Sequence, residues 1–312
     1  MQKLRSIQAL RAVAVVAVVC SHAFASPYGS SGVDLFFVIS GFIISRVSQD
    51  RSPVMFAKAR FERIFPLYLL AASPYLLWNL VQPHVDWGRI AASLTLWPIW
   101  AGEYQVPFLH PAWSLYFEVL FYAGVTLWLV SPRLAGIAAA VIVLSALQRP
   151  SAATDFLLSP IILEFAAGYG LAKLRRFPFP LPALILGLAL LLGLGQSFPA
   201  HAMLDASVAF TRVALCGVPA IMVVYAALGL EKFFAGRWSD VFVRVGDASY
   251  SIYLTHLIAV LGLPGMHPLG RVLAAILLGM VVHVFVERPL GTWFSKSSRR
   301  PAERATAQPV TV

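Results

Sequence analysis

Residues 7–25 read Ile7-Gln8-Ala9-Leu10-Arg11-Ala12-Val13-Ala14-Val15-Val16-Ala17-Val18-Val19-Cys20-Ser21-His22-Ala23-Phe24-Ala25. Nineteen residues of this composition come close to the roughly 20 that a helix needs to cross the hydrocarbon of a bilayer. Lys3 and Arg5 stand ahead of the run and Ala23-Phe24-Ala25 closes it, which gives it the outline of a secretory signal. Arg11 interrupts the apolar core, however, and many more apolar runs follow, so the segment is expected to be a retained first span.

Working outward, nine further apolar segments fall at 33–48, 64–82, 113–131, 133–148, 155–173, 181–197, 206–230, 247–263 and 270–287. The stretch 88–101 is apolar but short and contains Pro98, which suits an interfacial or re-entrant piece better than a crossing. Across all 312 residues, 59% are apolar and 12% charged, and the mean hydropathy is +0.77. Soluble chains average about 45–50% apolar with glycine included, and about 25% charged. The composition therefore excludes a soluble enzyme, a disordered chain and a nucleic-acid binder. The expected fold is all-α, a polytopic integral membrane helical bundle of about ten transmembrane helices plus the short re-entrant or interfacial segment. One domain over 1–294 is expected, with a basic cytoplasmic tail over 295–312.

The basic residues orient this bundle. With the N-terminus cytoplasmic and 88–101 not crossing, 20 of the 24 Lys and Arg residues fall on the cytoplasmic side. The far side receives only Arg89, Arg149 and Arg271, and Arg212 lies within a span. Such a bias is what the positive-inside rule expects. It places both termini in the cytoplasm and the loops 24–32, 83–112, 198–205 and 264–269 outside. Cys20 and Cys216 both sit in apolar runs. They read as inert thiols that offer neither a disulfide framework nor a metal site, and no metal is expected.

Ionisable groups inside spans are costly and default to functional hypotheses. Here they are His22, Asp34, Glu118, Glu164, Arg212, His256, His283 and Glu287. Each also has a plain reading as a polar tie between helices. Arg11 and His22 are eleven residues apart, about three helical turns, so they share a face roughly 16 Å apart along the axis. An Arg holds phosphate, and a His accepts a proton from a hydroxyl. A ligand anionic at one end and reactive at the other fits this pair. Arg60 and Arg63 are three apart on one helix face. They fit a phosphate clamp and membrane anchoring equally well. Trp113, Ser114 and Glu118 open a span from the outside, and Tyr253 and His256 lie in a helix rich in hydrogen-bonding groups. The histidines in loops, His110 among them, read as solvated residues.

Six motifs in order resemble the membrane-bound acyltransferase-3 family of bacterial O-acyltransferases, nearest its short exopolysaccharide-production type. They are Arg11 with ten residues before His22, then Gly32-Val33-Asp34-Leu35-Phe36-Phe37-Val38-Ile39-Ser40-Gly41-Phe42, and Arg60-x-x-Arg63-Ile64-x-Pro66. Trp113-Ser114-Leu115-x-x-Glu118, Ser249-Tyr250-Ser251-Ile252-Tyr253-Leu254-x-His256 and Glu287-Arg288-Pro289-Leu290 complete the set. The resemblance implies a bacterial inner-membrane enzyme that takes an acyl group, usually acetyl, from acyl-CoA on the cytoplasmic side. It implies delivery to a hydroxyl of a polysaccharide, such as exopolysaccharide or lipopolysaccharide O-antigen, or of a lipid-linked glycan. Acetyl-CoA is then a donor substrate, with no bound cofactor, and membrane lipids are the other partner. By the same carry-over His22 is catalytic, with Glu118 or Asp34 as its orienting carboxylate. Arg11, Arg60 and Arg63 would serve the donor, with Trp113, Ser114, Tyr253 and His256 as further binding residues. The acceptor and the oligomeric state stay open. A lipid or glycan transporter is the competing class. Transporters often carry matched halves, whereas His22, Asp34 and Glu118 are all early in this chain.

Overall fold

In the computed structural model, which describes residues 3–194 and 205–294, each of the ten apolar stretches is helical as far as it is described. The helices are α1 (Arg5–Ala23), α2 (Gly32–Val47), α3 (Pro53–Leu80), α4 (Trp87–Thr95), α5 (Trp113–Val130), α6 (Pro132–Gln148) and α7 (Ala152–Leu157). They continue with α8 (Ile162–Leu171), α9 (Pro180–Leu194), α10 (Ala206–Arg212), α11 (Val218–Gly229), α12 (Asp240–Asp247), α13 (Ser249–Gly262) and α14 (Pro268–Val282). Two π-turns interrupt this regularity. Val213–Gly217 joins α10 to α11, and His283–Glu287 extends α14.

Among the described residues, four stretches are long and apolar enough to cross a membrane: Arg5–Ala23, His110–Val130, Ala206–Gly229 and Pro268–Phe294. The apolar helices α6, α9 and α13 are shorter. Helix length therefore establishes an all-α protein with several membrane-competent helices, but not ten crossings. Two expected spans are also divided. Ser159 and Pro160 separate α7 from α8 within 155–173, since proline has no N–H to continue the ladder. Within 247–263, Ala248 separates α12 from α13. The tail 295–312 and nearly all of the loop 198–205 lie outside the described residues.

The segment 83–112 folds back on itself. Asp86 caps α4 by accepting from Arg89 N at 2.9 Å. At nine residues, α4 is about 14 Å long, too short for a 30 Å hydrocarbon layer. A hairpin follows, β1 (Ile99–Trp100) with β2 (Glu103–Tyr104). Its turn residues Ala101 and Gly102 both have positive φ, 53° and 83°, the I′ pattern that matches strand twist. Arg89 donates from Nε to Val106 O at 2.8 Å, and Tyr68 on α3 donates to Ser93 O at 2.6 Å. The segment is thereby tied to the bundle.

Helix α1 runs through the middle, against α2, α11, α12, α13 and α14. Glu231 accepts from the N–H groups of Arg5 (2.8 Å) and Ser6 (2.9 Å), filling two of the four open donors at its start. Beside this cap, Arg5 pairs with Asp240 and holds its carboxyl below the usual range by hydrogen bonding. That pair contributes above about pH 4 and is lost as the pH falls through the lowered value. Helices α2 and α8 meet at glycines. A Cβ on Gly168 would lie 1.9 Å from Val38 O, and one on Gly41 2.0 Å from Phe165 O. Small residues of this kind let membrane helices approach closely. At the periphery, α6 buries no side chain and α9 buries only Gly187. Their exposed Ile137, Val141, Leu144, Ile185 and Leu192 form the apolar surface that a bilayer covers.

Candidate active site

A cavity of about 180 Å³ opens between α1, α2, α3, α5 and α13. That exceeds tenfold the roughly 10–15 Å³ that one water needs. One end is basic, with Arg11 from α1 and Arg60 and Arg63 from α3. Arg63 is committed: it pairs with Glu287 and lies over the Tyr250 ring at 5.0 Å. Glu287 also accepts from Ser251 Oγ at 2.6 Å and lies 2.7 Å from His283 Nδ1. Sequence spacing leaves Arg60 and Arg63 equally as a joint anion clamp or as membrane anchors; in the structure Arg63 pairs with Glu287. Arg60 has a buried Nε without a hydrogen-bond partner among the described residues. Its guanidinium sits 5.9 Å from both the Phe56 and Tyr122 ring centres. Arg11 makes one long contact, 3.3 Å to Gln8 Oε1. Among the described residues these two half-buried guanidinium groups lining the cavity make no salt bridge, although Glu287 and Glu118 are within electrostatic reach of Arg11.

Glu118 also lines the cavity, and it accepts from Ser40 Oγ at 3.2 Å and from the Tyr122 hydroxyl. Glu118 is therefore held by two hydroxyls and is not hydrogen-bonded to His22. Tyr122 is four residues on from Glu118 along α5, the spacing that brings helix side chains together. That spacing is the signal by which Tyr122 could be found from sequence. Tyr253 and Ser114 also line the cavity, and their hydroxyls are 2.8 Å apart. Tyr253 also lies 2.9 Å from Pro111 O.

His22 is in the last turn of α1 and is not among the residues that line the cavity. Its ring is exposed, with Nδ1 2.9 Å from Val18 O. The His256 ring lies 4.9 Å from it, and Tyr253 stands 6.0 Å from His256. The sequence-predicted residues thus fall into two connected groups. Arg11, Arg60, Arg63, Ser114, Glu118 and Tyr253 line the cavity, while His22 and His256 lie just beyond Tyr253.

Two expected members belong elsewhere. Asp34 is wholly buried and receives both Nε (2.8 Å) and Nη2 (2.7 Å) of Arg212. Both of its oxygens are spoken for, so it does not orient the His22 ring. Trp113 turns away from the cavity, packing on Phe37 and Phe117 with the Arg212 guanidinium 5.4 Å from its ring. Two further residues reach the His22 region. His110 is within electrostatic reach of His22 and His256. Arg271 donates to Ala23 O at 2.8 Å, at the last turn of α1, where a cation suits the helix dipole. Among the described residues, no group of three or more His, Cys, Asp or Glu side chains is placed to hold a metal.

The arrangement can hold an anion at the arginines and offer a neutral imidazole beyond Tyr253. Comparisons with known proteins identify the family. Residues 4–288 match the family described as "Acyltransferase domain". The chain is similar to "Exopolysaccharide production protein ExoZ" of Rhizobium meliloti (strain 1021), 34% identical over 302 residues, covering 84% of this chain and 89% of that one. It is similar to "Acyltransferase MdmB" of Streptomyces mycarofaciens, 28% identical over 335 residues, covering 89% and 84% respectively. No solved structure matches it.

Proposed function

The chain belongs to the acyltransferase-domain family, and on that premise we propose that it is an integral membrane O-acyltransferase of the bacterial inner membrane. It moves an acyl group, in this reading acetyl, from acyl-CoA at the cytoplasmic face to a hydroxyl of a cell-envelope or exported carbohydrate. The observation that carries the reading is the cavity lined by Arg11, Arg60 and Tyr253, with His256 beside Tyr253 and His22 beside His256. Phosphates of the donor pair with Arg11 and Arg60, and its thioester reaches toward Tyr253 and Ser114. The acceptor hydroxyl meets His22, which takes its proton at Nε2 as the oxygen bonds to the acyl carbon. The C–S bond then breaks and the thiolate takes a proton. An exopolysaccharide is the favoured acceptor class, because the similar Rhizobium meliloti protein is named for exopolysaccharide production.

The test is acetate incorporation from labelled acetyl-CoA by the purified protein in nanodiscs, with isolated envelope polysaccharide as acceptor. It is paired with mass analysis of the cell's glycans with and without the gene. No incorporation, together with unchanged glycan masses, rejects the reading in favour of a transporter.

The proposed topology has ten spans and both termini in the cytoplasm, on the strength of the charge bias. Cysteine labels at 24–32, 83–112 and 264–269 should then react from outside. Labels at 47–58, 174–179 and 232–244 should react only after the cytoplasmic face is opened. Outside labelling at 232–244 would overturn the count.

Donor binding gives a second expectation. A charge-assisted contact contributes about 1.5–3 kcal/mol, so Arg60→Ala should weaken acyl-CoA binding roughly tenfold to hundredfold and leave membrane insertion intact. Arg60→Lys should recover part of this, since lysine lacks the planar fork. Equilibrium binding of labelled CoA to the purified variants decides. Wild-type affinity in both Arg60→Ala and Arg11→Ala would remove the anion site.

A further inference from the structure

We propose that His22 and His256 form a proton-sharing pair, in which His256 is the positioning residue that receives a hydrogen bond from His22 once His22 is protonated. Its place in the reaction rests on the acyl-transfer reading above; the pairing itself does not.

The two rings lie 4.9 Å apart at an interplanar angle of 63°. His22 Nδ1 is 2.9 Å from Val18 O, and His256 Nδ1 is 2.7 Å from Tyr253 O. A backbone carbonyl only accepts, so in each neutral ring Nδ1 carries the hydrogen and Nε2 keeps its lone pair. Both rings are thus set in the same tautomer by their own helices. They differ in surroundings. The His22 ring is exposed, whereas His256 is wholly buried and its Nε2 has no hydrogen-bond partner among the described residues. A buried acceptor left unmet is costly. A proton arriving at His22 Nε2 supplies the missing donor.

The other groups around the pair do not take this role. Tyr253, on the same helix as His256, directs its hydroxyl to Ser114 and Pro111. Arg271, at the start of α14, spends Nη2 on Ala23 O. His110, from the turn ahead of α5, is a third imidazole within electrostatic reach. Glu118 is held by Ser40 and Tyr122, and Asp34 by Arg212. No carboxylate is hydrogen-bonded to either ring among the described residues. The task of steadying the imidazolium, elsewhere done by a carboxylate, falls to a second imidazole. The balance is simple. The acceptor hydroxyl loses its proton to His22 Nε2, and that N–H donates to His256 Nε2. When the C–S bond breaks, the thiolate takes the proton back and both rings are neutral again. A neutral partner binds the proton less firmly than a carboxylate would, which suits a proton that must be returned each cycle.

The experiment needs no acyl donor, so it separates failure of the pair from failure of the acyl-transfer reading. Diethyl pyrocarbonate reacts with unprotonated ring nitrogens. Its reaction with His22 is followed by peptide mass analysis on the full chain in nanodiscs, between about pH 5 and 8. His256→Asn keeps a donor toward Tyr253 O and removes the Nε2 acceptor. A coupling of about one pH unit is a tenfold change. His22 in the variant should therefore react about three- to tenfold faster at the acidic end, and equally at the alkaline end. Identical profiles would mean that the rings merely pack, and slower reaction in the variant would mean that they repel; either overturns the pair. A measurement on the unmutated protein guards against misfolding of the variant. With ¹⁵N-histidine labelling, solid-state ¹⁵N–¹⁵N correlation should show a cross-peak between the two Nε2 atoms at acidic pH, and its absence there also overturns the proposal.

Discussion

His22→Ala should lower acyl-transfer turnover by about 10²–10⁴-fold, the range for a positioned acid–base group, while leaving acyl-CoA affinity within experimental error. The separation follows from position. Arg11 and Arg60 line the cavity, whereas His22 is not among its lining residues. Loss of the imidazole therefore removes the proton acceptor without touching the anion end. His22→Gln distinguishes a base from a hydrogen-bond donor, because the amide can donate toward Val18 O but takes no proton. Turnover near wild type in a correctly inserted His22→Gln protein would make His22 a structural residue. Steady-state rates and CoA binding on the same preparations are the measurements required.

Asp34→Ala should act on stability. The Asp34 side chain is 0% exposed and that of Arg212 2%. Breaking such a pair on one side costs about 3–5 kcal/mol, because a buried charge is left uncompensated. Glu164 on α8 is wholly buried and within electrostatic reach of both partners. It softens the loss, so Asp34→Ala alone falls toward the lower figure and Asp34→Ala with Glu164→Gln exceeds it. Removing both charges, as in Asp34→Leu with Arg212→Met, should recover much of the lost stability, since apolar replacement of a buried pair is often neutral. Thermal unfolding in detergent reads all three variants. An unchanged melting temperature in Asp34→Ala, coupled with lost turnover, would return Asp34 to the chemistry.

These two residues mark how far the sequence can be read. Arg11 and His22 sit on one helix, and a fixed rise per residue places them roughly 16 Å apart before any fold is known. Asp34 and Arg212 are 178 positions apart, and Arg63 and Glu287 are 224 apart. No local pattern announces which cation answers which carboxylate, so sequence alone offers Glu118 or Asp34 as the orienting group and leaves Arg60 and Arg63 equally as clamp or as membrane anchors. Burial decides, because a membrane-embedded carboxylate takes the nearest guanidinium. His110 is exposed, as a loop histidine is expected to be, and the turn ahead of α5 also brings it within electrostatic reach of His22, a proximity that no local pattern announces. The break at Pro160 is visible in the chain, yet an apolar count runs straight over it.

The π-turn at Val213–Gly217 follows directly on Arg212. One residue in excess of the regular repeat advances the phase of everything downstream by about 100°. Helices α10 and α11 are therefore collinear but out of step. The first aims Arg212 at Asp34, and the second turns Ala220, Val223 and Val224 into the apolar core. An unbroken helix would fix both directions by a single angle; the slip lets each be set separately. It also scrambles any amphipathic wheel drawn across 206–230 as one helix. Deleting a single residue within Val213–Gly217 should swing the cation off its carboxylate while leaving the apolar length of the segment nearly unchanged.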